Sequence, residues 1–433
     1  MNNRLCEIRG LQPMPDGTAY LGTGDPARTR RGCNLLHFDG DTLDVDLSLN
    51  TIPANVLVRL AFDIDGSLWV STTNFGVAKR TPSGKWFGYN PAVGTTELNS
   101  LFNLALLADS KGSKWFGTLP YPGDLPEPDP LDRLVDHLNT DYSDDEWTDY
   151  RIGDGGGDGL GSLRFVDAME DPAGNRWFLS DEDQEHAPGW WGINILSSDG
   201  DVWRRVNPTS TDPSGNLLGM KAGNVSDVVF AEDGVVYVAL REYGVQIWIT
   251  GGYDREDLFD LSDDSWSTIA EIGAKNGIES TADILSLARS SDGVLWIGTT
   301  AGAYRWDRTY LTHIPANRGF GIGLLGNTVA DIVLDHDENV WLATDLGLNR
   351  ISKGELSEIS SYTTPIVWQT QLNLFFPPDV VSPLVNANCR RLALHPEKDL
   401  LYIATGNGLS AFDISSLEET STDISKVYLY PNP

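Results

Sequence analysis

Basic residues are scarce in this 433-residue chain: 31 Lys and Arg stand against 62 Asp and Glu, a formal net charge of −31. Nucleic acid and anionic lipid are held through Lys and Arg, so this balance argues against a nucleic-acid partner and against direct membrane insertion. The same charge suits a soluble exported protein or a solvated acidic surface in a salty habitat. Cysteine is rare too. Cys6, Cys33 and Cys389 offer neither a metal spacing nor a disulfide framework and are expected to be small buried hydrophobes. The six histidines, His37, His137, His186, His313, His336 and His395, include no pair at the i, i+2 or i, i+4 spacing that a metal centre favours within one element. No metal and no cofactor is therefore expected. No window reaches the ~18 apolar residues of a membrane span. The N-terminal MNNRLCEIRGLQPMPDG lacks the apolar core of a signal peptide, so an exported protein of this sequence would have its true start upstream. No serine nucleophile elbow is present. The glycine-rich DGGGDGLG from Asp154 follows one strand-like segment and leads into another rather than into a helix, which makes it a connector and not a phosphate loop.

What the sequence does contain is a repeat. SSDGVLWIGTTAGAYRW from Ser290 returns 45 residues later as DHDENVWLATDLGLNRI from Asp335. Aligned on the aromatic residue, eight copies appear, with the position filled by Tyr20, Trp69, Trp115, Trp177, Tyr237, Trp296, Trp341 and Tyr402. Each has an alternating apolar run such as FVDAME, then an Asp/Asn/Gly turn, a buried strand such as LWVST or VWLAT, a second break, and another strand such as GVAKR. Asp and Asn beside Gly supply the positive backbone angles of a tight hairpin, and β-branched and aromatic residues fill the pleated surface. A fourth strand is visible as KWFGYN, EWTDYR, DVWRRVN and SWSTI. LDRLVDHL from Leu131 has helical spacing, but EWTDYR follows it where a fourth strand belongs, so it is expected to be the third strand of its unit. Four antiparallel strands per unit, at steps of 45 to 62 residues, predict an all-β propeller of seven or eight blades with almost no helix. Either one ring of eight forms, or seven blades form a ring and one belongs to a neighbouring propeller. The aromatic residue at the shared position is expected to pack between blades as core.

The motif D-x-x-G-x-L-W-[IV]-G-T-x-x-G-[LV]-x-R, best kept from Asp63 to Arg80 and from Asp292 to Arg305, resembles the two-component-regulator propeller repeats of bacterial sensor ectodomains and exported Bacteroidetes proteins. The resemblance runs from about residue 10 to residue 412. The tail VYLYPNP, Val427 to Pro433, looks like the opening of the C-terminal sorting domain of the type IX secretion system, and the chain resembles the PorZ-like two-propeller component of that system. This places propeller repeats at 1–414 and a linker with a truncated sorting-domain start at 415–433. It implies a protein that is secreted, periplasmic or on the outer-membrane surface, with a protein or glycan partner there.

Two second-to-third-strand connectors exceed the short TTAG type: LPYPGDLPEPDPLD after Thr118 and DEDQEHAPGW after Ser180. They belong to consecutive units, and DGGGDGLG joins those units on the same face. Their acidic and aromatic residues, Tyr121, Asp124, Glu127, Asp129, Asp181, Glu182, Asp183, Glu185, His186, Trp190 and Trp191, form the candidate ligand-binding patch, suited to a cation, a basic partner or a stacked sugar. No catalytic residues are assigned. The Asp-x-Asp pairs of DIDGS and DHDENV sit in hairpin turns and lack the further oxygen ligands of a calcium loop. The expected function is a non-catalytic exported or cell-surface module that binds a surface glycan, lipopolysaccharide or protein partner. The alternatives are an exported propeller hydrolase or lyase, such as the streptogramin-inactivating lyases that share the Gly-x-Leu-Trp hairpin, and a fragment of a sensor-kinase ectodomain.

Overall fold

The computed structural model describes the chain except for residues 1–6, 14–17, 25–30, 40–41, 47–53, 55, 92–95, 119–128, 141, 182–190, 270–277, 279–280, 317–322, 355–358, 363–383, 416–426 and 430–433; for the strands within 7–46, 359–362 and 427–429 it describes the backbone. Helix among the described residues is confined to the single turn Arg255–Leu258 and short 3-10 segments.

Seven sheets form a ring, each built on a four-stranded antiparallel meander in chain order, one of them with a short fifth strand at its edge. The inner strands are Leu57–Phe62, Asn103–Ala108, Phe165–Glu170, Val225–Phe230, Ile284–Arg289, Val329–Leu334 and Cys389–Leu394. Each neighbours the next, and the last returns against the first. Closure is by side-chain packing: Leu57, Val70, Ala78 and Trp86 of the first blade share one core with Ala393, Tyr402, Ala404 and Leu409 of the last. Arg80 Nη1 also donates to Tyr402 Oη at 3.3 Å.

A single ring of eight does not form. The earliest copy makes its own sheet from Glu7–Pro13, Thr18–Gly24, Arg31–Asp39 and Thr42–Asp46, while the packed seam between first and last blades leaves no slot for another sheet. Leu131–Val135 is a strand, paired on both edges, and not a helix. DGGGDGLG serves as a connector whose Gly156–Gly157 adds a short parallel edge to the outer strand Val202–Val206. Val427–Leu429 pairs with Gly408–Asp413 as the fourth strand of the last blade.

The repeat motif has a physical reason at each position. Its second strand lies between two neighbouring sheets, and all residues of Leu68–Thr72, Arg176–Ser180, Leu295–Thr299 and Val340–Thr344 are buried. Trp69, Trp115, Trp177, Trp296 and Trp341 are all within 2% of full burial, and Tyr237 and Tyr402 are buried with them. The Asp six residues before the Trp accepts its indole N–H: Asp63 from Trp69 at 3.3 Å, Asp109 from Trp115 at 2.9 Å, Asp171 from Trp177 at 2.9 Å and Asp335 from Trp341 at 2.8 Å. The motif Thr clamps the second turn, as Thr72 Oγ1 donates to the Gly76 carbonyl at 3.0 Å and Thr299 Oγ1 to that of Gly302 at 2.8 Å. That glycine is required twice over: Gly76 has φ +102°, and a Cβ there would stand 2.3 Å from the Tyr89 carbonyl oxygen of the fourth strand.

Trp341→Ala is expected to lower the unfolding free energy by about 3–5 kcal/mol, because it opens a cavity between two blades and strips Asp335 of a buried donor. Trp341→Phe, which keeps most of the packing, should cost clearly less. Denaturant unfolding of both variants measures the difference, and equal losses would mean that the indole bond carries the site.

Candidate functional site

The inner strands share a local irregularity that builds the central channel. In every ring blade the inner strand slips register against the second strand at its entry, as between Leu57 and Arg59, Phe165 and Asp167, Val225 and Asp227, Ile284 and Ser286, Val329 and Asp331, and Cys389 and Arg391. A bulge re-aims the residues on either side of it. The position after the slip lies opposite the residue two beyond the shared aromatic and reads, around the ring, Arg59, Ala105, Asp167, Asp227, Ser286, Asp331 and Arg391.

Most of these charged groups are committed to holding blades together. Arg59 Nε donates to Asp167 Oδ1 at 2.9 Å, across from the first blade to the third, and its Nη2 donates to the Val166 carbonyl. Asp227 Oδ2 accepts the Leu287 N–H of the following blade at 2.7 Å, and Asp331 Oδ2 accepts that of Leu392 at 2.7 Å. Arg391 Nη1 reaches the Ala330 carbonyl at 2.7 Å. Burial pushes the Asp227 carboxyl up to about 8, with repulsion from Asp167 adding to it and the Leu287 N–H opposing it. Burial also raises Asp331, against the attraction of Arg391. The Arg59 guanidinium is lowered from its ordinary value by burial first and then by the nearby Arg391 charge.

Above this ring the channel opens into a cavity of about 390 Å³. Its wall takes one bulge residue from each of the seven blades: Val58, Leu104, Val166, Ser226, Leu285, Ala330 and Arg390. Leu57, Arg59, Thr73, Arg241 and Arg391 complete it. Thr73 and Arg241 directly follow second strands, so the cavity opens on the face that carries the second-to-third-strand and inter-blade connectors.

A second charged cluster lies inside the ring wall. Lys114 Nζ is 2.5 Å from both Asp63 Oδ2 and Asp136 Oδ1, and Lys79 Nζ is 2.6 Å from Asp136 Oδ2, all with side chains at most 1% exposed. Burial would raise Asp136, but bonds from Lys114 and Lys79 hold it below the usual carboxylate range. This buried cluster ties the first two ring blades together. The Asp63 oxygen in the DIDGS turn is accordingly taken by Trp69 and Lys114.

Of the eleven residues of the sequence-derived patch, three fall among the described residues. Asp129 receives Arg151 Nε at 2.9 Å, and its carbonyl receives Thr118 Oγ1 at 2.6 Å. Asp181 lies 3.5 Å from Arg164 Nη2, in the post-strand position that Arg241 holds one blade later. Trp191 is half-buried, its ring laid so closely over Gly223 that a Cβ there would overlap it. Tyr121, Asp124, Glu127, Glu182, Asp183, Glu185, His186 and Trp190 lie outside the described residues. Sequence reasoning missed the channel arginines, although the signal was present: a polar residue at one fixed phase of an otherwise apolar inner strand. Cys389 is buried on the last inner strand, as expected of a small hydrophobe, and burial pushes its thiol up.

Comparison with known proteins agrees with this architecture. The family model described as two-component regulator propeller matches residues 278–301, the hairpin that contains Trp296. Among solved structures, PorZ of Porphyromonas gingivalis, described as an essential bacterial surface component of the type-IX secretion system, is 19% identical with a TM-score of 0.59; the match covers 99% of this chain and 56% of that one. The chain thus spans little more than half the length of PorZ. Virginiamycin B lyase from Staphylococcus aureus is 11% identical with a TM-score of 0.53, over 84% of this chain and 96% of that one. The extracellular domain of a hybrid two component system from B. thetaiotaomicron is 16% identical with a TM-score of 0.45, over 98% and 49%. No curated protein sequence matches the chain. No helix among the described residues is long and apolar enough to cross a membrane.

The Asp227 geometry predicts a pH effect. A carboxyl raised in the folded state contributes stability that is complete below the unfolded pKa of ~4 and is lost as pH climbs through about 8. Asp227→Asn retains an acceptor for the Leu287 N–H but no longer titrates. Relative to the parent, it should gain about 2–4 kcal/mol between pH 5 and pH 8 in denaturant unfolding. A constant difference between the two proteins across that range would show that Asp227 is ionised in the fold throughout.

Proposed function

We propose that this chain is a non-catalytic propeller of the bacterial surface, exported to the periplasm or outer membrane, where it acts as a ligand-binding or scaffolding module of a type IX-like secretion machine. The observation that carries this reading is the commitment of the channel's ionisable groups. Asp167 is spent on Arg59, while Asp227 and Asp331 are spent on backbone donors of neighbouring blades, so none is poised as a nucleophile or a general base. The described cavity wall contains no His or Glu to serve a lyase or hydrolase. The likeness to PorZ over nearly the whole of this chain supports a surface role, and that to the lyase is one of fold. In this proposal the partner-facing edge comprises the two long connectors, after Thr118 and after Ser180, on the face where the channel opens. A glycan, a lipopolysaccharide or a protein is the partner.

The test is binding without turnover. The purified chain is titrated with lipopolysaccharide and surface polysaccharide, and each ligand is recovered for mass spectrometry. Saturable binding of an unaltered ligand is expected, together with its loss when both connectors are shortened to TTAG in a ring that still unfolds cooperatively. A covalent change in the ligand would overturn the non-catalytic reading, and undiminished binding by the shortened ring would remove the connectors from it.

A further inference from the structure

The chain carries twice as many acidic as basic residues, yet the cavity at the channel mouth is lined by Arg59, Arg241, Arg390 and Arg391 and by no acidic side chain among the described residues. Four of the chain's 31 basic residues therefore converge on one cavity of about 390 Å³, a size within the range of small-molecule sites. Ion pairing within the fold does not account for all of them. Arg59 is matched by Asp167, and Arg391 has Asp331 nearby, with its Nε buried and without a hydrogen-bond partner. Arg241 and Arg390 form no ion pair among the described residues, and both are half-buried. At Arg390, moreover, the other six blades place Val, Leu, Val, Ser, Leu and Ala in the corresponding bulge position. A guanidinium there is not required by the fold, since six blades close without one.

Like charges gathered in a partly desolvated cavity repel one another, and their repulsion is relieved by a bound anion. The guanidinium fork matches the oxygens of a carboxylate or phosphate, and the remaining wall, with Val166 and Leu285, is apolar. We propose that the mouth of the central channel is a binding site for a small organic anion, whose carboxylate or phosphate is held by Arg241, Arg390 and Arg391 while its body rests on the apolar wall. The site deepens the binding-module reading and relies on it for a ligand that leaves unchanged.

The test uses the full chain and three probes in isothermal titration calorimetry: hexanoate, inorganic phosphate and the neutral hexan-1-ol. Hexanoate and phosphate should bind competitively, more weakly as sodium chloride rises, and hexan-1-ol should not bind. The double variant Arg241→Gln, Arg390→Gln should weaken hexanoate about tenfold or more. Cooperative unfolding confirms that the variant is folded; should it not fold, the comparison of hexanoate with hexan-1-ol on the unaltered chain decides. Equal binding of the alcohol, or undiminished hexanoate binding by the folded variant, would sink the proposal. Failure of the site and failure of the module are separable: a chain that binds surface polysaccharide but no hexanoate has lost only the arginine site, whereas one that binds hexanoate but alters the polysaccharide has lost only the non-catalytic role.

Discussion

The ring depends on a carboxylate buried at the first turn of four of the five Trp-bearing repeats. Asp109 shows the full arrangement. Its Oδ1 accepts the turn's own Lys111 and Ser113 N–H groups, and its Oδ2 accepts both Trp115 Nε1 of the same blade and Arg176 Nε of the next, at 2.9 and 3.1 Å. One side chain thereby fixes the hairpin, orients the largest core residue and fastens the adjoining sheet. Asp63 does the same with Trp69 and Lys114. An acid buried so deeply would be costly without partners, and for Asp63 and Asp109 the charged partner comes from a neighbouring blade. The chain respects this dependence internally: where the aromatic is Tyr237, which has no indole N–H, the residue six positions earlier is Ala231. Ser290 before Trp296 departs from the rule, and nothing in the structure explains it.

Because the tie between blades is local, the repeat can vary elsewhere while the ring keeps its geometry. The variation is concentrated at the inner column. Positions related by the ring hold Arg, Ala, Asp, Asp, Ser, Asp and Arg, side chains of opposite sign that no single blade could satisfy alone. Arg59 and Asp167 meet although 108 residues separate them. Such a pair forms only when the first and third blades curve toward each other, the same curvature that brings the first and last blades together at the hydrophobic seam.

These facts explain what was legible in the sequence. Strand order, hairpin turns and the burial of Trp69 or Trp341 follow from short-range chemistry that every copy repeats, so a pattern read along the chain suffices. Leu131–Val135 could be told from a helix because the neighbouring strand Glu146–Tyr150 constrained it. Val427–Leu429 could not be assigned in the same way. Three residues carry no period, and the preceding strand ends at Asp413. Ring size was ambiguous because it depends on which two sheets pack at the seam, a core shared by residues such as Leu57 and Ala404 that leaves no local mark. The channel arginines were visible as polar residues in apolar strands, but each strand alone admits an ordinary solvent-facing explanation. Only superposition of the seven copies puts Arg59 and Arg391 side by side.

The charge distribution then acquires a direction. An acidic exterior repels anions at long range, with an effect that ionic strength screens beyond ~8–10 Å. Inside the channel mouth the walls exclude much of that screening, and Arg241 and Arg390, which form no ion pair among the described residues, set the local sign. An anionic ligand therefore meets a barrier outside and a well within, which favours selection by fit at the mouth over indiscriminate adsorption on the surface. A basic or neutral partner meets the opposite field, being drawn to the exterior and excluded from the channel. The exterior and the channel mouth thus present opposite fields, and the proposed anion site is a place where the sign of the chain's net charge is locally reversed.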